Sequence, residues 1–174
     1  MIMSISPTEL TRKFADEYYY ILVNQKKLMR NPRRPIWSIS KQYYCYALAS
    51  LFVLSLSAFL TLSDFGFLPV LVFTSFTFIL VVFVTIKVLK AISGITNADP
   101  KKYRLNLTAK HASYDMPGGT LVMTWDEIRT IIMTKNSIVF LPKTSANVPI
   151  SLPISCEKEV RASLKKLKHS DLIA

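Results

Sequence analysis

Two uncharged apolar stretches decide the fold of this chain: YYCYALASLFVLSLSAFLTL at residues 43–62 and LPVLVFTSFTFILVVFVTI at residues 68–86. A helix needs about 20 mostly apolar residues to cross the ~30 Å hydrocarbon core of a bilayer. Both stretches come close to that length, and only SDFGF at residues 63–67 separates them. The pattern therefore predicts a membrane α-helical hairpin, with transmembrane helices at 43–62 and 68–90 and a short external turn at 63–67.

The distribution of positive charge predicts the orientation of this hairpin. All 22 Lys and Arg residues lie before Tyr43 or from Lys87 onward. Basic residues in short flanking segments stay on the cytoplasmic side. We therefore expect a multi-pass membrane protein with both termini in the cytoplasm. The net charge of +11 lies beside the membrane segments, which favours contact with anionic lipids of the inner leaflet over nucleic-acid binding.

Two other interpretations of the apolar stretches are disfavoured. A soluble protein would have to bury both helices, and a chain of 174 residues offers too small a core to enclose them. A transporter needs polar groups inside the membrane, yet no Asp, Glu, His, Lys or Arg lies between Gln42 and Asp64 or between Asp64 and Lys87.

Residues 1–42 are interpreted as a cytoplasmic amphipathic and basic arm. Thr8 is a candidate helix cap, and apolar residues recur at helical spacing from Leu10 to Met29. This helix would either lie at the membrane interface or pack on the cytoplasmic domain. Two prolines then predict an irregular, extended link. Four residues in and beside this link are expected at the level of the lipid head groups: Arg30, Arg33, Arg34 and Trp37. They either control topology and anchor the chain or bind lipid specifically.

Residues 91–102 read as a linker and residues 103–174 as a cytoplasmic α+β domain. Short alternating segments separated by turn residues predict strands at 103–107, 111–114, 120–124, 129–134, 138–141 and 148–154. A helix capped by Ser155 follows. Short antiparallel strands and one final helix predict a small β-barrel or sandwich that this helix closes.

The final helix carries a second candidate contact surface for lipid or a partner. Its basic residues recur at spacings that place them on one side of a helix: Lys158, Arg161, Lys165 and Lys168. This stripe is either a solvated face or a basic ridge that faces the membrane.

The sequence offers little for catalysis. The chain has four glycines and no Gly-rich phosphate loop, and its two histidines have no companions at metal-ligand spacing. The two cysteines form no CxxC pair. We therefore expect no enzyme, with no catalytic, cofactor-binding or metal-binding residues.

Several segments together resemble the YcxB-like family of small bacterial membrane proteins. The arm contributes Leu10-Thr11 followed by aromatic residues. The domain contributes residues 107–111, Gly118-Gly119, residues 123–128, residues 138–141, and Ile154 with the helix after it. The resemblance implies an N-terminal arm, two adjacent spans and a cytoplasmic domain of pleckstrin-homology-like type. It implies that Trp125 and Ile128 are core residues at a corner between strands.

Two functions of different classes fit these expectations. The first is a membrane-anchored, non-enzymatic binding or scaffold protein whose domain recognises a protein partner or anionic lipid at the inner leaflet, with homo-oligomerisation as a further option. The second is self-protection against a membrane-active peptide toxin of bacteriocin type. The sequence does not discriminate between them.

Overall fold

The computed structural model describes residues 2–36 and 38–173, without the side chain of Phe65. Its helices are α1 (Arg12–Arg30), α2 (Ile39–Ser63), α3 (Leu68–Thr96) and α4 (Glu157–Lys166). Its strands are β1 (Met3–Ile5), β2 (Arg104–Leu107), β3 (His111–Met116), β4 (Gly119–Thr124), β5 (Ile128–Met133), β6 (Ser137–Pro142) and β7 (Ile150–Pro153). The fold mixes helices and strands, and β1 and the three long helices come before the other strands in the chain.

Helices α2 and α3 form the predicted hairpin, and both are long and apolar enough to cross a membrane. They contain 25 and 29 residues, and only 11% of the most apolar window of each is buried. Large apolar side chains such as Phe52 (70% exposed) and Phe73 (71% exposed) point away from the protein. An exposed apolar surface of this size is typical of a lipid-facing helix rather than of a soluble core helix. Helix α3 continues to Thr96, so the first part of the predicted 91–102 linker is helical.

A polar contact joins the two helices inside the apolar region. The hydroxyls of Ser57 and Thr74 lie 2.7 Å apart. Ser57 is 4% exposed. One hydroxyl donates to the other, and the hydroxyl that accepts is free to donate to a carbonyl of its own helix. This pair fixes the rotation of α2 against α3.

The strands form two antiparallel sheets, and the described residues contain no closed barrel. Four strands pair in the order β1-β2-β3-β4 and three in the order β5-β6-β7. The N-terminal strand β1 was not predicted. It pairs with β2, with Met3 opposite Leu107 and Ile5 opposite Leu105. The arm that precedes the α2–α3 hairpin therefore supplies an edge strand to the domain that follows it.

One hydrophobic core lies between the sheets and α4. Its members come from both sheets, for example Ile5, Leu105 and Phe140, and from α4 through Val160 and Leu164. Trp125 and Ile128 are 8% and 1% exposed and belong to this core, as predicted. The Trp125 indole N–H donates to the carbonyl of Thr108 at 2.9 Å.

Two predicted caps are wrong, and the predicted link is irregular as expected but begins with a turn. The N-cap of α1 is Thr11, whose hydroxyl accepts from the backbone N–H of Phe14, and not Thr8. Ser155 lies inside a 3-10 turn at Ile154–Cys156, so α4 begins after Cys156 without a side-chain cap. The link is not extended at its start, because the N–H of Arg34 bonds to the carbonyl of Asn31 at 3.1 Å and closes a turn. Asn at the first position and Pro32 at the second favour that turn.

Candidate functional site: the α1 interfaces and the basic crevice

Helix α1 packs on the α2–α3 hairpin along one face and on the second sheet along another. Ala15 and Tyr20 are buried with Ile39 of α2 and with Val88 and Ile92 of α3. Helix α1 therefore packs on the domain, as one of the two predicted alternatives had it, and also on the hairpin, which neither alternative included. It is the element that joins the domain to the hairpin.

The other face of α1 covers the middle strand of the second sheet. Ile21 and Leu28 are buried with Val139 and Leu141 of β6. Every residue of β6 is buried, because alternate side chains enter the central core and the remaining ones meet α1. A kink at Asn24 interrupts α1 between these contacts, and the Asn24 amide donates to the carbonyl of Tyr20.

Asp16 ties α1 to the start of α2. Its Oδ1 accepts a hydrogen bond from the backbone N–H of Ser40 at 2.8 Å. The first N–H groups of a helix have no partner within the helix, so a carboxylate there satisfies one of them and also complements the helix dipole. Asp16 is 8% exposed. One helix therefore caps the next across 24 residues of sequence.

Glu17 ties α1 to the turn between β5 and β6. Its carboxylate accepts from the hydroxyl of Thr134 at 2.6 Å, the amide of Asn136 at 2.6 Å and the hydroxyl of Ser137 at 2.9 Å. Three donors on one carboxylate hold this turn in a defined position. Adjacent residues of α1 thus bind the α2–α3 hairpin and the second sheet.

A basic crevice lies where the link, α1 and the β5–β6 turn meet. It consists of two adjoining cavities of about 380 and 230 Å³ that share Glu17, Ile36 and Lys135 as lining residues. Its cationic residues are Lys13, Arg33, Arg34, Lys41 and Lys135. All five are exposed.

The acidic residues of the crevice do not neutralise these cations by direct pairing. Asp16 and Glu17 are the two carboxylates that line it, and both accept from uncharged donors. Within residues 2–36 and 38–173, the one ion pair joins Arg161 to Glu157. The crevice is therefore a concave surface with an excess of unpaired positive charge.

The fold separates the arm residues that were predicted to contact lipid or a partner. Arg33 and Arg34 line the crevice. Arg30, the last residue of α1, lines a different cavity of about 380 Å³ with Lys26 and Arg129. Trp37 lies outside the described residues.

The basic residues predicted on the last helix do not line the crevice and do not form one helical stripe. Helix α4 ends at Lys166, and Lys168 has a left-handed backbone with φ of 61°. The N–H of His169 bonds to the carbonyl of Leu164, and the N–H of Lys168 to that of Lys165. These bonds form a Schellman motif that ends the helix before the stripe is complete. Arg161 pairs with Glu157 at 2.7 Å. Of the predicted set, Lys158 and Lys165 are therefore the exposed cations on α4 that have no carboxylate partner among the described residues.

A tyrosine cluster lies at the junction of α1 with the first sheet. Burial raises the pKa of Tyr114, and the neighbouring phenols of Tyr18 and Tyr103 raise it further. Burial and then Tyr103 raise the pKa of Tyr18. These hydroxyls stay neutral at physiological pH, so the cluster adds no negative charge near α1.

The sequence reasoning missed Lys13, Lys41 and Lys135 as members of the crevice. Lys135 falls between the predicted strands at 129–134 and 138–141, and its distance of about 100 residues from Arg34 gives no local pattern that links the two. The Asn-Pro sequence at Asn31 was the available signal for the turn that places Arg33 and Arg34.

The described residues contain no group of three or more His, Cys, Asp or Glu side chains arranged to hold a metal ion. Comparisons of the chain with protein-family models, with curated proteins and with solved structures find no match.

Proposed function

We propose that this chain is a membrane-anchored, non-enzymatic binding module that holds its two-sheet domain against the cytoplasmic face of the bacterial cell membrane. There it recognises a protein partner or an anionic lipid. The observation that carries the proposal is the double attachment of α1, through Asp16 to the membrane hairpin and through Glu17 to the domain. A domain on a flexible tether would need neither bond.

The domain type is part of the same proposal. Sheets of four and three strands around one core, with a single helix after the last strand, support a pleckstrin-homology-like domain. The order of arm, two apolar helices and domain supports membership of the YcxB-like family. Fold alone does not assign a ligand.

Membrane insertion and orientation are tested by cysteine accessibility in intact cells. The background is Cys45→Ala with Cys156→Ala, and the probes are Asp64→Cys and Ser145→Cys. We expect a membrane-impermeant maleimide to label Asp64→Cys in intact cells, and to label Ser145→Cys only after the membrane is opened. Labelling of both or of the opposite one would contradict the proposed placement.

The binding role is tested by photo-crosslinking of the full-length protein in cells. A photoreactive amino acid at Thr144, in the exposed loop before β7, should capture a defined protein or lipid. The same probe in an Asp16→Ala, Glu17→Ala variant should capture much less, although the chain still inserts. Equal capture by both proteins would show that the fixed position of the domain has no part in binding.

A further inference from the structure

We infer that the basic crevice binds the phosphate of an anionic phospholipid head group. This inference rests on the proposed membrane placement and goes further, because it assigns a ligand chemistry to a defined site. The first support is charge. Five exposed cations line the crevice, while its two carboxylates are occupied by uncharged donors.

The second support is geometry. The larger cavity, about 380 Å³, has the size of an ordinary small-ligand site. Arg33 and Arg34 follow one another on the turn that Asn31 organises through its carbonyl and its side chain, which accepts from the N–H of Arg33 at 3.2 Å. Guanidinium groups match phosphate oxygens as two-pronged donors.

The third support is rigidity of the opposite wall. Lys135 lies between Thr134 and Asn136, and Glu17 holds both of these residues. The ammonium is therefore presented from a fixed turn. A site whose backbone is already ordered loses less entropy when it binds its ligand.

The fourth support is depth, and it selects a lipid over a soluble phosphate. Lys41 lines the crevice and lies two residues before Tyr43, where the apolar stretch begins. Two residues of helix rise by about 3 Å. With α2 across the bilayer, the crevice lies at the level of the lipid phosphates. The amides at the start of α2 add little, because Asp16 and Ser38 already accept from them.

The test measures lipid retention by the full-length protein. The purified chain in mild detergent is titrated with phosphatidylglycerol or phosphatidylcholine, and bound lipid is counted by native mass spectrometry. The crevice variant is Arg33→Gln, Arg34→Gln, Lys135→Gln. The matched control, Lys158→Gln, Lys165→Gln, Lys166→Gln, removes the same charge from α4. Charge-assisted hydrogen bonds make us expect phosphatidylglycerol binding to weaken about tenfold or more in the crevice variant, and less than about twofold in the control.

A conservative variant separates geometry from charge. Arg33→Lys with Arg34→Lys keeps the charge and loses the two-pronged donors, so we expect an intermediate loss of about threefold. Equal weakening in the crevice variant and the α4 control would overturn the inference, because binding would then follow net charge alone. Unchanged binding in both would overturn it as well.

Inorganic phosphate distinguishes the two sources of the ligand chemistry. We expect millimolar phosphate without lipid to bind far more weakly than phosphatidylglycerol. Crevice-dependent binding of phosphate as tight as that of the lipid would overturn the lipid assignment. If the crevice variant binds phosphatidylglycerol like the wild type while the cysteine labelling and the crosslinking give the expected results, this inference fails and the proposed function stands. If the chain does not insert as expected, both fail.

Discussion

The carboxylate of Asp16 accepts a hydrogen bond from the backbone N–H of Ser40 at 2.8 Å, so a residue of α1 caps α2. The next residue, Glu17, binds the β5–β6 turn. Adjacent side chains of α1 therefore connect the α2–α3 hairpin to the domain.

Replacement of Asp16 by alanine should reduce the free energy of unfolding by about 1–2 kcal/mol, because one N–H at the start of α2 loses its acceptor. Asp16→Asn keeps an oxygen acceptor and should retain most of the stability. Asp171→Ala, at an exposed residue, is the control. The measurement is thermal unfolding in detergent, and equal stability of Asp16→Ala and the wild type would refute the capping role.

Replacement of Glu17 by alanine should loosen the β5–β6 turn. The hydroxyls of Ser137 and Thr134 and the side-chain amide of Asn136 lose the carboxylate to which they donate. Ser137 is fully buried, so its hydroxyl cannot turn to water instead. We expect hydrogen exchange in residues 134–137 to become about tenfold faster, as a loss near 1.4 kcal/mol would produce. Glu159→Ala on α4 should leave this exchange unchanged. Protection that survives in Glu17→Ala would mean that the carboxylate does not hold the turn.

Replacement of Ile5 by alanine tests whether the N-terminus belongs to the domain. Ile5 is 3% exposed in the central core, whereas Ile2 is 73% exposed. Ile5→Ala should reduce stability by about 2 kcal/mol or more, since large-to-small changes in a core leave a cavity. Ile2→Ala should change it by less than about 0.5 kcal/mol. Similar values for the two variants would argue against β1 as part of the sheet.

The contacts of β1 with β2 and of α1 with β6 predict how residues 101–174 behave in isolation. That fragment lacks β1 and exposes Val139 and Leu141, which α1 covers in the whole chain. We expect it to aggregate or to give a poorly dispersed NMR spectrum, while the full-length protein stays monodisperse in detergent. A well-folded fragment would show that α1 and β1 are dispensable for the domain.

The pairing of Ser57 with Thr74 predicts a crosslink within the hairpin. In the background without Cys45 and Cys156, Ser57→Cys with Thr74→Cys should form a disulfide on mild oxidation, because the two hydroxyls lie 2.7 Å apart. Ser55→Cys with Thr74→Cys should not, since two residues rotate a side chain by about 200° around a helix. Mass spectrometry after alkylation measures the disulfide in both double variants. Efficient crosslinking of the Ser55 pair would contradict the placement of Ser57 on the side of α2 that faces α3.

Replacement of Lys168 by glycine should increase the stability of the protein. Its φ of 61° is a left-handed conformation that costs a residue with a side chain about 1 kcal/mol. Lys168→Gly should therefore raise the free energy of unfolding by about that amount. Lys166→Gly, at the last residue of α4, should lower it, because glycine disfavours a helix. Loss of stability in both variants would exclude the Schellman end of α4.

Much of the secondary structure follows from local patterns. Helix α2 contains the predicted span and extends beyond it, because Ser38 caps it and Asp64 follows its end. The burial of Trp125 and Ile128, which the family resemblance implied, is also observed. By contrast, β1 has three residues, too few for a period-2 signal, and it exists because β2 offers a free edge.

The sequence by itself determined the two apolar helices and the succession of short strands, because length, uninterrupted hydrophobicity and turn residues are properties of contiguous segments. Only the tertiary structure decided that α1 joins hairpin to domain and that Arg33, Arg34 and Lys135 line one crevice. Those relationships depend on the pairing of Glu17 with residues 117–120 positions away. No periodicity along the chain encodes a contact at that distance, since it arises when separate apolar faces pack together.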